Sequence, residues 1–185
     1  MRAVGVDPVH GTRETYRALL DAMSRPGTVG PVPEPADHAV VVTLVDHEVG
    51  CWTDDDGLRS DLASQGRLDA ADQSEAAVVH ARDHENVTVQ DCRRGSLVEP
   101  SDGATVVYRV DRVAAGTDPA LTTVELTGPG VDGAAELSVA LSPDELDAIA
   151  EAGSQFPRGV DAVFATDDAV AAIPRSATME LLEVA

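Results

Sequence analysis

Near the N-terminus apolar residues recur at helical spacing, with Tyr16, Leu19, Leu20 and Met23 at i, i+3, i+4 and i+7 and Arg13, Glu14, Arg17 and Asp21 opposite. This predicts a helix over residues 12–23 that turns the apolar set inward. Ser24-Arg25-Pro26-Gly27 ends it, because proline disfavours helix at the residue before it and glycine tolerates the turn. Residues 30–37 hold three prolines and read as a connector. The run 39–45, AVVVTLV, is β-branched and shows no alternation, so it predicts a strand buried on both faces inside a helix-covered sheet. Asp56-Gly57-Leu58 opens a second helix, with Leu58 and Leu62 one turn apart.

Further along, residues 75–81, 86–90, 104–110 and 121–127 read as strands. A polar loop over 95–103 separates the second and third of these, and Gly128-Pro129-Gly130 stops the last. Ser142-Pro143-Asp144-Glu145 carries serine at the N-cap, proline at N1 and glutamate at N3, which predicts a capping box. The helix it opens reaches Gly153, with Leu146, Ile149 and Ala150 on one face. Residues 160–165 and 170–173 flank Thr166-Asp167-Asp168-Ala169 as in a β-hairpin, and 179–184 forms a last short strand or helix. The expected class is α/β: one domain over 1–185, a mixed sheet flanked by three or four helices.

Composition narrows what such a fold does. The chain has 185 residues, 43% of them hydrophobic, which is enough to bury a core. No stretch approaches the length of a membrane helix and the first residues lack an apolar signal core, so a cytoplasmic protein is expected. Asp and Glu number 33 against 13 basic residues, for a net charge of -20. Nucleic acid and anionic membranes are therefore poor partners. All 13 basic residues are Arg. Without lysine there is no Schiff base for pyridoxal phosphate (PLP) and no Walker A loop, and no cofactor is expected. The acid excess without lysine suits a halophile-like cytoplasm, where salt screens carboxylates that would otherwise repel one another. Asp54-Asp55-Asp56 and Asp167-Asp168 are read as solvated turns.

Self-sufficient chemistry is scarce. Cys51 and Cys92 have neither zinc nor disulfide-framework spacing, and Cys51 is expected as a small buried thiol. His80, Asp83 and His84 (HARDH) have a metal-like spacing, but the segment enters from a strand and is read as a strand-end turn. No G-x-S-x-G elbow occurs. Gly128-Pro129-Gly130 is a turn or an anion cradle. Arg25, Arg158 and Arg175 each adjoin a proline, and either grip a phosphate or carboxylate with a forked pair of bonds or pair with acids of the chain itself.

Taken in order, Ala22-Met23-Ser24-Arg25-Pro26-Gly27, Leu126-Thr127-Gly128-Pro129-Gly130, Phe156-Pro157 with Gly159 and Asp161, and Ala172-Ile173-Pro174-Arg175 resemble the H subunit of the carbon-phosphorus lyase core complex, the PhnH family. The resemblance covers residues 7–183. It implies a domain similar to the large domain of PLP-dependent transferases but without PLP. It also implies an accessory role in phosphonate catabolism beside subunits G, I and J, within a transferase complex that carries an alkylphosphonate onto the ribose of ATP, and a homodimer when isolated. The family assigns no catalytic residue to this subunit, so none is carried over. The candidate anion-binding or interface residues are Arg25, Gly128, Gly130, Arg158, Asp161 and Arg175. The competing class is an independent small enzyme or binding protein acting on a phosphorylated or anionic small molecule, with the arginine-proline corners as its clamp.

Overall fold

The computed structural model describes residues 6–182 apart from Pro8. Its elements run α1 (His10–Ser24), β1 (Gly30–Pro31), α2 (Ala36–Leu44), β2 (Gly50–Thr53), α3 (Asp56–Ser64), β3 (Asp69–Ala70), β4 (Val78–Ala81), β5 (Thr105–Arg109), β6 (Val113–Ala115), β7 (Thr122–Thr127), β8 (Ala135–Val139), α4 (Pro143–Gly153), β9 (Asp161–Ala165), β10 (Ala169–Ile173) and β11 (Thr178–Leu181). A seven-stranded sheet has the order β1-β10-β9-β5-β4-β2-β3, and a four-stranded sheet the order β11-β7-β8-β6. Strands β3, β2, β4, β5 and β9 are mutually parallel, whereas β10 and β1 add antiparallel. The second sheet is antiparallel throughout.

Side-chain alternation gives the large sheet two different faces. Val78, Val107, Val163, Val170 and Ala172 pack with Leu19, Val40, Val41, Leu58 and Leu62 of the helices α1 to α3. Their neighbours in the strands, Val79, Val106, Tyr108, Ala162, Phe164 and Ala171, face Val124, Leu126, Leu137 and Val139 of the small sheet together with Leu146 and Ile149 of α4. Tyr108 and Phe164 stack there with centroids 5.9 Å apart. The layers are thus helices, mixed sheet, and small sheet with α4. Among the described residues no helix is long and apolar enough to cross a membrane.

Several expectations hold. The capping box at Ser142 is present in full, the hairpin pairs Val170 with Ala165, and the helix expected from Asp56 is α3; the structure adds its cap, the Asp55 carboxylate accepting from Leu58 N–H. Others are overturned. The run 39–45 is not a strand: residues 39–44 belong to α2, and Ala39, Val40, Val41, Val42 and Val45 are all buried. A helix satisfies its own backbone, so it can be apolar all round where it is enclosed between α1 and the sheet. Arg67 completes it by donating to the carbonyls of Val42 and Val45 at 2.7 and 2.6 Å.

Residues 86–90 form no strand either; two 3-10 turns, His84–Asn86 and Val89–Asp91, occupy that stretch. In α1 the inward face is Gly11, Thr15, Leu19 and Ala22, rotated from the apolar set, so Tyr16 and Leu20 are 58% and 56% exposed. Small residues face inward because α1 lies close against α2 and β10. The strand predicted over 75–81 begins only at Val78, and that over 179–184 is β11; Glu183 and Val184 lie outside the described residues.

Candidate functional site

The carboxyl ends of β2, β4 and β5 meet where the strand order reverses, since β3 lies on one side of β2 and β4 on the other. In open α/β sheets such a reversal leaves a crevice between the loops. Here it holds a polar network. Thr53 Oγ1 accepts from the Asp55 amide at 3.1 Å and lies 2.8 Å from His80 Nδ1. On the other side of the ring His80 Nε2 lies 3.2 Å from Asp37 Oδ2, and because an ionised carboxylate only accepts, Nε2 is the donor. His38 donates from Nε2 to Asp55 Oδ2 at 3.1 Å, and Arg82 donates to the same oxygen at 2.6 Å. Arg109 lies 3.8 Å from Asp37 Oδ1 and also pairs with Asp167.

The expectation of a solvated Asp54-Asp55-Asp56 turn is therefore overturned. Asp55 is buried, and Asp54 accepts from the amides of Arg82 and Asp83 and from the Asn86 side chain. A turn composition alone does not reveal donors arriving from 27 to 32 residues away. Burial opposes ionisation of Asp37, but the His80 hydrogen bond and the nearby His38 outweigh it and hold the carboxyl below its ordinary range. Burial likewise opposes ionisation of Asp55, and the Leu58 amide, Arg82 and His38 reverse the balance. Burial pushes the Cys51 thiol up to about 11, so it stays protonated.

Thr53, His80 and Asp37 stand in the order nucleophile, base and orienting acid. Their exposures, 1%, 0% and 3%, keep any reacting atom out, so the relay braces β2, β4 and α2 together. Above it lies a cavity of about 410 Å³ lined by Asp54, Arg82, Asp83, His84, Asn86 and Arg109. His80 and His84 diverge, His84 pairing with Glu145 of α4. Sequence reasoning weighed His80 only for metal; the signal it lacked was Asp37, hidden in the misread connector.

The six residues singled out by sequence lie elsewhere and fall into two groups. Arg25 is largely exposed and pairs with Asp21. The turn that carries it packs under Gly130, where φ is +85° and an added Cβ would come within 2.2 Å of the Ser24 carbonyl. Gly128 sits over Ser176 and Ala177. Arg175 belongs to the second group: its Nη2 is 2.5 Å from Asp161 Oδ2 and its Nε 3.1 Å from Oδ1, while Nη1 and Nη2 donate to the carbonyls of Pro100 and Gly103 at 2.7 and 3.1 Å. Its fork is thus occupied within the chain. Arg158 bonds Gln155. Gly103 was missed, though a Cβ there would lie 2.0 Å from Arg175 Nη1.

These contacts connect all four motifs into one junction, the turn after α1 meeting the turn after β7, which meets residues 175–177, which clamp the start of β9. Motifs that are far apart in the chain thus form a common joint between the two sheets. A model of the family described as bacterial phosphonate metabolism protein (PhnH) matches residues 5–180. The chain belongs to the PhnH family. It is 34% identical over 170 residues to "Putative C-P lyase subunit protein HtxG" of Stutzerimonas stutzeri, covering 90% of this chain and 84% of that one. It is 27% identical over 197 residues to "Alpha-D-ribose 1-methylphosphonate 5-triphosphate synthase subunit PhnH" of Rhizobium meliloti strain 1021, covering 94% and 92%. In this member of the PhnH family, the motifs that signal membership are parts of the scaffold joint.

Proposed function

We infer that this protein is an accessory subunit of a carbon-phosphorus lyase, serving phosphonate catabolism as part of a transferase complex that builds the ribose phosphonate triphosphate. The observation that carries the reading is the family match over 5–180, joined by relatives that are named as subunits. The sealed Thr53–His80–Asp37 relay supports it, because a bracing network has no access to substrate. Subunits G, I and J are the proposed partners, with a homodimer as the form of the chain alone. The fold is read as similar to the large domain of PLP-dependent transferases, and no PLP is proposed because the chain offers no lysine to hold it. Its net charge of -20 suits a cytoplasm of high ionic strength.

The second reading, a protein acting alone on a small anion, is favoured by one feature: Arg82 and Arg109 both line the cavity over the network. Against it, Asp54 and Asp83 line the same cavity, and both arginines are already engaged with Asp55 and Asp167. Affinity purification of the tagged chain from phosphonate-grown cells in high salt separates the two. We expect the other lyase subunits to be recovered, and no turnover of ATP with a phosphonate by the lone chain. Turnover without any recovered subunit would overturn the subunit reading.

A further inference from the structure

At the opposite end of the parallel strands from the polar network, the loops before β5 and β9 lie side by side, the Gly159 amide donating to the Arg94 carbonyl at 2.9 Å. Both loops expose apolar side chains at their tips: Leu97 is 74% exposed, Val98 85% and Phe156 66%. Phe156 stands between two depressions. One, of about 500 Å³, runs towards Pro100 and Ser101; the other, of about 450 Å³, runs along Ile149 and Met179 between α4 and β11. Scattered exposed apolar residues are ordinary, but three on adjacent tips with grooves beside them form a patch.

The charges around this patch are unusual for the chain. Arg93, Arg94 and Arg158 adjoin the tips in sequence and are half-buried. Among the described residues none of the three pairs with a carboxylate, although acids outnumber arginines 33 to 13. The Nε atoms of Arg93 and Arg158 are buried with no hydrogen-bond partner. Glu99 and Asp102 in the same loop do not form ion pairs with them. Arginines without a carboxylate partner beside an exposed aromatic side chain match the enrichment of Arg and aromatic residues at interfaces.

We propose that this end of the sheet, with Leu97, Val98 and Phe156 among Arg93, Arg94 and Arg158, is the docking surface for a partner subunit that presents apolar side chains flanked by carboxylates. The inference rests on the accessory-subunit reading and says which face that role uses. A second copy is the competing occupant, and the oligomeric state of the chain alone distinguishes it. An acidic partner instead supplies the carboxylates that this chain withholds. The clamp of Arg175 on Asp161, Pro100 and Gly103 lies directly behind the tips and holds both loops in place, so the surface is set before the partner arrives.

The test co-expresses the tagged full-length chain with the G, I and J subunits and compares three variants with the parent. One is Leu97→Ser/Val98→Ser/Phe156→Ser, the second Arg94→Glu/Arg158→Glu, and the third, Tyr16→Ser/Leu20→Ser, alters the exposed face of α1. Melting curves establish that each is folded. We expect both patch variants to recover at least about tenfold less of the other subunits, and the α1 variant to match the parent. If the folded patch variants match the parent the proposal is wrong, and loss of the subunits by the α1 variant would then move the docking face to α1. It is also wrong if the chain purified alone is a dimer that the patch variants split. A parent chain that recovers no subunit at all would instead overturn the accessory reading itself.

Discussion

The two ends of the parallel strands answer the same problem, unsatisfied loop backbone at a sheet edge, in opposite ways. At the carboxyl ends, Thr53, Asp55, Asp37, His38, His80 and Arg82 hydrogen-bond one another, with Asp37, Asp55 and His80 buried and Arg82 reaching Asp55 from a largely exposed position. At the amino ends a single arginine, Arg175, gathers two loops and a carboxylate, and apolar tips are left in water. A closed network spends its donors internally and leaves little for a ligand. The opposite end keeps exposed apolar area and arginines without a carboxylate partner among the described residues. Position at the carboxyl edge, where α/β sheets usually bind ligands, is therefore a weaker guide here than the account of which groups remain unpartnered.

Removing Arg175 should produce the largest effect. The Arg175 and Asp161 side chains are 13% and 14% exposed, so Arg175→Ala leaves a mostly buried carboxylate with only the backbone N–H of residue 175 and takes the guanidinium away from the carbonyls of Pro100 and Gly103. A loss of about 3–5 kcal/mol in urea unfolding is expected. Arg175→Lys keeps the charge but not the fork, and should lose about 1–3 kcal/mol through the carbonyls of Pro100 and Gly103. If Lys equals the parent, the clamp is only a charge pair and the two loops are held by something else.

Next in size is the acid limb of stability, which belongs to the other end. Asp37 and Asp55 are both held below the ordinary carboxylate range in the folded chain. Their contribution is thus fully present above the unfolded value of about 3.9, and is lost as pH falls from there through the folded values. Asp55→Asn should cost about 1–3 kcal/mol near neutrality, since Arg82 loses its charged partner, and should flatten the decline below about pH 4. Urea midpoints followed from neutral to acid pH read both effects. Equal acid slopes in parent and variant would mean that Asp55 titrates as it does unfolded.

Much of the framework was legible because its signals are local. The capping box at Ser142, the helix opened at Asp56-Gly57-Leu58 and the hairpin around Asp167-Asp168 each need only neighbouring residues. Residues 39–45 failed for a physical reason: a fully enclosed helix and a fully enclosed strand have the same apolar composition, and length alone did not separate them. That error hid the polar network, since Asp37 and His38 sit in the first turn of α2 and meet His80 and Asp55 only through the crossover. The motifs were found, but their meaning was not. Arg175 and Gly130 are kept in place by contacts with Pro100 and Gly103, and with Ser24, which no local pattern in the sequence announces.

The smallest expected effect is on the stability of the exposed tips, and it sharpens the contrast most. Leu97 and Val98 have most of their surface in water in the free chain, so replacing both with Ser removes little burial and opens no cavity. Their contribution to folding should stay within about 0.5 kcal/mol of the parent, far below that of Arg175 behind them. Thermal melts of Leu97→Ser/Val98→Ser measure this directly. A loss above about 2 kcal/mol would mean that the tips pack against the body of the molecule in solution. An unchanged melt gives these residues no structural task in the isolated chain, so that any role they have must be outward.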